Sequence, residues 1–204
     1  MTSKTLNRKA RFFDRWAPTY DLLFTTVIYQ AIHQRLLEYV QLSAQPYVLD
    51  LGCGTGRLLN RLAAEFPHLQ GTGLDLSAEM LRQARLTHQH HPRLIFVQGN
   101  AAALPFEDGQ FEAVFNTISF LHYPDPKSVL AEVSRVLAPG GRFYLVDLTT
   151  PKWRSQVLRV RNPMGGFQLY SPTARKTLAA TTNLSWVEHQ YLLGPVLLTI
   201  FAKA

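Results

Sequence analysis

Apolar positions in this chain follow two periods. Over residues 22–42 they recur four apart, at Ile28, Ile32, Leu36 and Val40, which predicts a helix with one apolar face. Residues 8–17 suggest a shorter helix before it, and Pro46 ends the helical region. Strand-like runs then occupy 47–51, 71–75, 94–98, 111–116 and 142–148, alternating with helix-like runs at 57–66, 78–90 and 126–137. Ser77 with Glu79, Asp125-Pro126 and Ser171-Pro172 have the form of helix starts: a capping side chain, then an acid or a proline in the first turn. Pro139-Gly140-Gly141 predicts a turn before the fifth strand. This alternation predicts an α/β fold, a parallel sheet with helices on both faces.

The pattern changes near the end. After a helix at 172–183, two apolar runs at 185–193 and 196–202 flank Gly194-Pro195. Two strands with no helix between them form a hairpin, so one strand runs antiparallel. Residues 150–170 have no clean period; a connection of that length at the carboxyl side of a sheet favours a functional loop. The expected organisation is one domain over 1–204: a helical cap (1–45), a ligand-binding core (46–148) and an acceptor-side loop, helix and hairpin (149–204).

Composition narrows the class only slightly. The 204 residues suffice for one core, and 47% hydrophobic with 17% charged is ordinary for a globular chain. One cysteine, Cys53, excludes an internal disulfide framework and a multi-cysteine zinc site, and fits a reducing, cytoplasmic setting. The net charge of +7 is scattered, with local excess at 4–15 and 152–161 but no block of like charge, so a solvated basic surface is expected. No apolar run is long enough to span a bilayer, and no secretory cleavage pattern follows the first apolar stretch.

The chemistry starts at residues 47–57, YVLDLGCGTGR. A buried strand opens into a turn with glycines at 52, 54 and 56, which lets the backbone bend sharply and approach a ligand. The next strand ends on Asp75, about 20 residues on, where a carboxylate accepts both hydroxyls of a ribose; the competing role is a helix cap, for which Ser77 is better placed. A dinucleotide loop wants a small residue where this chain has Arg57. That disfavours a pyrophosphate and leaves an adenosine ligand without one, S-adenosyl-L-methionine.

Six segments, in order and spacing, resemble the class I S-adenosylmethionine-dependent methyltransferases, small-molecule branch: FFDRWAPTYD (12–21), VLDLGCGTG (48–56), GLDLSAEML (73–81), QGNAAALPFEDGQFEAV (98–114), FLHYPDP (120–126) and VLAPGGRFYLVD (136–147). The branch includes ubiquinone and menaquinone C-methyltransferases and phospholipid N-methyltransferases. The resemblance implies a Rossmann-like, seven-stranded, mostly parallel sheet with one antiparallel strand and an N-terminal helical cap. It also implies roles: Asp50 and the backbone of Gly52, Cys53 and Gly54 at the methionine end, Asp75 on the ribose, and Leu76 against the adenine. Asn100, where many relatives carry aspartate, and Ala101 would read the adenine edge, Asn116 would lie near the methionine moiety, and Tyr20 would close over the cofactor. For Tyr20 and Trp16 the alternative is packing in an amphipathic helix.

His122 follows the fourth strand and is either the general base or a structural residue orienting the loop before Asp125. His88, His90 and His91 lie at a polar helix end with no carboxylate in pattern, so a solvated end is expected and no metal site. After the fourth strand FNTISF (115–120) lacks the proline-proline-aromatic motif of DNA amino-methyltransferases, and the one cysteine is in the glycine loop, so no nucleic-acid partner is expected. The acceptor would be small and quinone-, phenol-, amine- or lipid-like, in a pocket drawn from Phe12, Phe13, Trp16, Trp153, Met164, Phe167 and Tyr170. Arg154, Arg159 and Arg161 would attract an anionic acceptor or membrane surface. The competing function is an S-adenosylmethionine-binding accessory protein without turnover.

Overall fold

The computed structural model describes residues 10, 11, 14, 23–150, 156–160 and 166–204. Among them, seven strands form one sheet in the order β3-β2-β1-β4-β5-β9-β8, and two more, β6 (Leu158–Val160) and β7 (Phe167–Leu169), form a small ribbon. The strands of the sheet are β1 (Tyr47–Leu51), β2 (Gln70–Asp75), β3 (Leu94–Gln98), β4 (Phe111–Thr117), β5 (Leu137–Leu148), β8 (Leu184–Leu193) and β9 (Val196–Lys203). Pairing from β3 through β5 is parallel, while β9 runs antiparallel to both β5 and β8. The strand order reverses between β1 and β4, and open α/β sheets bind ligands in the crevice at that point.

Five α-helices are described: α1 (Leu23–Leu37), α2 (Arg57–Glu65), α3 (Ala78–Thr87), α4 (Pro126–Val136) and α5 (Pro172–Ala179). One core cluster packs α1, α2 and α3 on one sheet face through Ile32, Leu36, Leu59, Leu62 and Leu81. The other packs α4 and α5 on the opposite face through Val129, Leu130, Val133 and Ala179. The expected caps form: Ser77 accepts from Met80 N–H, Asp125 from Ser128 N–H and Ser171 from Ala174 N–H.

Three local expectations change. Helix α1 ends at Leu37, so Val40 lies beyond it, and Ile28 is 36% exposed; Ile32 and Leu36 alone of the four residues are core. Pro139-Gly140-Gly141 does not separate helix from strand, because β5 begins at Leu137 and carries the glycines in an irregularity opposite β4. The stretch without periodicity contains β6 (Leu158–Val160) paired with β7 (Phe167–Leu169), too short for a period of two to register.

Candidate functional site

The carboxyl ends of β1, β2 and β4 converge at the crevice. Gly52, the first residue of the turn after β1, has φ +75°, a conformation that costs other residues. A Cβ there would strike the Ser119 hydroxyl and lie 3.0 Å from the Tyr123 hydroxyl. At the far end of the turn Gly56, also left-handed, packs on the Phe96 ring, where a Cβ would come within 2.8 Å. The turn is held to β2 by Gly52 and Cys53 N–H groups donating to Leu74 O at 2.7 and 3.1 Å.

Asp75 ends β2 and accepts from Gly54 N–H through one oxygen and Ser77 N–H through the other, both at 2.9 Å. Burial raises its pKa, opposed by those backbone hydrogen bonds. Leu76 N–H also bears on this carboxylate, which with two oxygens keeps acceptor capacity for a ligand hydroxyl. Ser77 is the helix cap, leaving Asp75 for a ligand.

Beneath Gly52 lies a polar network around the expected Asn116, whose partners Ser119 and Tyr123 sequence reasoning missed. Asn116, fully buried on β4, places its Nδ2 2.6 Å from Leu51 O, 2.6 Å from Ser119 Oγ and 2.9 Å from Tyr123 OH. Because Leu51 O only accepts, the amide orientation is fixed and Asn116 Oδ1 points elsewhere, buried and without a partner. Asp50, 1% exposed on neighbouring β1, also has a buried Oδ1 without a partner. Burial, and then the charge of Asp75, push its carboxyl up to about 8. Asp50 pairs with Phe115 across β1 and β4, so Asp50 and Asn116 project from opposite faces of the sheet, and each leaves a buried oxygen open to a donor of its own. The Asp50 carboxyl, beside Asp75 and the glycine turn, fits a cationic group such as the ammonium at the amino-acid end of S-adenosylmethionine.

The turn after β4 explains how Ser119 reaches Gly52. Ile118 has φ 49°, left-handed for a β-branched residue, and its N–H is held by Val146 O at 2.8 Å. Such strain costs roughly 1–3 kcal/mol and persists only where surrounding structure enforces it. A 3-10 turn, Phe120–His122, follows, and Asp147 at the end of β5 accepts Leu121 N–H at 2.8 Å. Asp147 is buried, which raises its carboxyl to about 6 despite the opposing charge of Arg175. Arg175, itself 2% exposed on α5, donates to Leu197 O at 2.8 Å, Asp147 O at 2.9 Å and Thr199 Oγ1 at 3.1 Å. The network thus ties the acceptor-side helix to the ends of β5 and β9.

Residues 48–141 match the methyltransferase-domain family. The chain is 35% identical over 154 residues to a demethylmenaquinone methyltransferase of Thermotoga maritima, covering 74% of this chain and 66% of that protein. It is 34% identical over 189 residues to a 2-phytyl-1,4-naphthoquinone methyltransferase of Thermosynechococcus vestitus, covering 90% of this chain and 83% of that one. The chain belongs to the class I S-adenosylmethionine-dependent methyltransferases. The fold of this methyltransferase matches a Haloferax volcanii putative methyltransferase solved with the activator Trm112, at TM-score 0.77 and 22% identity over 94% of this chain and 97% of that one.

Within the methyltransferase site, the structure brings Asp50, Gly52, Cys53, Gly54, Asp75 and Asn116 together around the glycine turn. Burial, with Asp75 and Asp50 nearby, raises the Cys53 thiol well above its ordinary range, so it stays protonated. Leu76 is half-buried past β2, and its carbonyl accepts from Gln98. Asn100 Oδ1 accepts Ala102 N–H at 3.0 Å, so the side chain also shapes its own turn, beside buried Ala101. His122 is half-buried on the 3-10 turn. Tyr20 lies outside the described residues, as do Phe12, Phe13, Trp16, Trp153, Arg154, Arg161 and Met164.

The histidine cluster differs from expectation: His88 is 7% exposed, edge-on to Phe96 and against His91, so it packs rather than solvates the helix end. Among the described residues no group of three or more His, Cys, Asp or Glu is placed to hold a metal ion. No helix among them is long and apolar enough to cross a membrane.

Proposed function

We propose that this chain transfers a methyl group from S-adenosylmethionine to a small, apolar acceptor of quinol or lipid-like type. The observation that carries the reading is the buried, unpartnered Asp50 Oδ1 beside a glycine turn whose Gly54 amide binds Asp75. When bound, the cofactor supplies a methyl carbon already activated on a sulfonium, for in-line displacement by the acceptor. Asp50 and the backbone of Gly52, Cys53 and Gly54 hold the methionine end with Asn116 near it, Asp75 takes the ribose hydroxyls, and Leu76, Asn100 and Ala101 border the adenine. Tyr20 closes over the cofactor.

The chain's contribution is chiefly alignment, which supplies on the order of 7–11 kcal/mol. Of the expected acceptor-pocket residues, Tyr170 instead packs in the core, edge-on to Phe120 with ring centroids 5.4 Å apart. Tyr170 has a buried hydroxyl without a partner among the described residues. The names of the relatives, demethylmenaquinone and phytyl-naphthoquinone methyltransferases, support the quinol class. Exposed Arg159 on the ribbon strand β6 supports contact with an anionic acceptor or membrane surface, and the single cysteine supports a cytoplasmic location.

The test is incubation with methyl-labelled S-adenosylmethionine and a panel of demethylated naphthoquinols, benzoquinols, phenols, amines and fatty acids. Label in a quinol or lipid fraction is expected. Label confined to polar amines refutes the acceptor class. His122→Ala separates its two roles, since loss of a general base costs roughly 10²–10⁴-fold in rate, and a structural histidine less.

A further inference from the structure

Asp14 has no role in the site described so far, yet it reaches the rim of that site. Its Oδ1 accepts the Ser77 hydroxyl at 2.5 Å and the Glu79 N–H at 3.3 Å. Ser77 is fully buried, and its own N–H donates to Asp75 Oδ1 at 2.9 Å. The Ser77 hydroxyl also accepts Met80 N–H at 3.1 Å, so both its donor and an acceptor site are committed. Asp14, Ser77 and Asp75 therefore form a relay joining the N-terminal segment to the ligand-facing carboxylate.

The plain alternative is that Asp14 helps cap α3. Ser77 already makes that cap, so the aspartate sits one layer out. Its placement also sets a second carboxylate near Asp75, which raises the Asp75 pKa and opposes its ionisation. What Asp14 does achieve is to clamp the backbone of the 75–79 turn, holding the Ser77 hydroxyl and the Glu79 N–H with one oxygen, and so to fix where the Ser77 N–H meets Asp75 Oδ1. The free lone pairs of Asp75 are thereby aimed in one direction before any ligand arrives, which is preorganisation.

We propose that Asp14 is a cofactor-positioning residue: acting through Ser77, it orients Asp75 toward the ribose hydroxyls and couples the N-terminal segment to cofactor binding. The inference rests on the ribose role proposed for Asp75. Coupling is reciprocal, so cofactor binding must strengthen the Asp14 contact by the factor with which that contact strengthens binding.

The experiment is a double-mutant cycle on the full chain, read as S-adenosylhomocysteine affinity by calorimetry, with unliganded thermal unfolding of each variant alongside. Asp14→Asn and Ser77→Ala are each expected to weaken binding about fivefold or more. In an Asp75→Asn background, Asp14→Asn is expected to cost less than about twofold. A purely structural cap would lower the unfolding temperature and leave the two effects additive. Wild-type affinity in Asp14→Asn, or equal losses in both backgrounds, overturns the proposal. Wild-type affinity in Asp75→Asn instead overturns the ribose assignment beneath it. A second measurement needs no variant: hydrogen exchange of the Glu79 amide in the wild-type protein is expected to slow about fivefold or more on saturation with S-adenosylhomocysteine. Unchanged exchange there counts against the coupling even where a variant fails to fold.

Discussion

The buried Asp50 carboxyl makes cofactor binding a proton-releasing event. In the unliganded protein, burial and Asp75 hold it at about 8, so at pH 7 it is roughly nine-tenths protonated. An ammonium seated within hydrogen-bond reach favours the carboxylate and lowers such a pKa by about one to three units. At pH 7, binding should then release roughly 0.4 to 0.9 of a proton. By pH 9 the group is already mostly ionised and release from it fades. The assay is calorimetric titration of S-adenosylhomocysteine in buffers of different ionisation enthalpy, where the slope of heat against that enthalpy counts protons. Asp50→Asn is expected to abolish most of the slope at pH 7. An equal slope in wild type and Asp50→Asn, or none in wild type, refutes the placement of the ammonium at Asp50. The same group sets a stability trend. Its folded pKa lies above the ordinary carboxylate value, so the stability it confers is complete at acid pH and is lost as pH rises toward 8. Unliganded Asp50→Asn should therefore show a flatter unfolding profile over that window.

Two further substitutions test the scaffold. Gly52→Ala adds a Cβ at a left-handed residue against Ser119 and Tyr123; backbone strain of about 1–2 kcal/mol and crowding of about 1–3 kcal/mol should both appear as a lower urea midpoint. Arg175→Met leaves the carbonyls of Asp147 and Leu197 and the Asp147 carboxyl without their buried cation, for an expected loss of about 3–5 kcal/mol by the same measurement. It should also move the Asp147 titration upward from about 6, because Arg175 holds that pKa down.

The sheet was legible because parallel strands buried on both faces read as apolar runs, and because Ser77, Asp125 and Ser171 advertise helix starts by local chemistry. The hairpin was legible from Gly194, which adopts φ 50° between β8 and β9. The ribbon was not, since three residues per strand carry no periodic signal. Of the site, the glycine turn and Asp75 announced themselves by spacing. The Asn116–Ser119–Tyr123 network did not: it depends on a left-handed Ile118, and nothing in an isoleucine codon position signals positive φ. Asp147 and Arg175 meet only when β5, β9 and α5 assemble, over a separation of 28 residues. Asp14 stood in a segment matching the family, but its partner Ser77 lies 63 residues away, so its role follows from tertiary contact alone.

The central claim is that the glycine turn with Asp50, Asp75 and Asn116 is a site for S-adenosylmethionine and not for a dinucleotide. Direct titration of the purified protein with S-adenosylmethionine and, in parallel, with NADH tests it. Saturable one-to-one binding of S-adenosylmethionine, lost in Asp75→Ala, with no binding of NADH, is the predicted result. Absence of binding to S-adenosylmethionine and S-adenosylhomocysteine alike, or tighter binding of NADH, would contradict it.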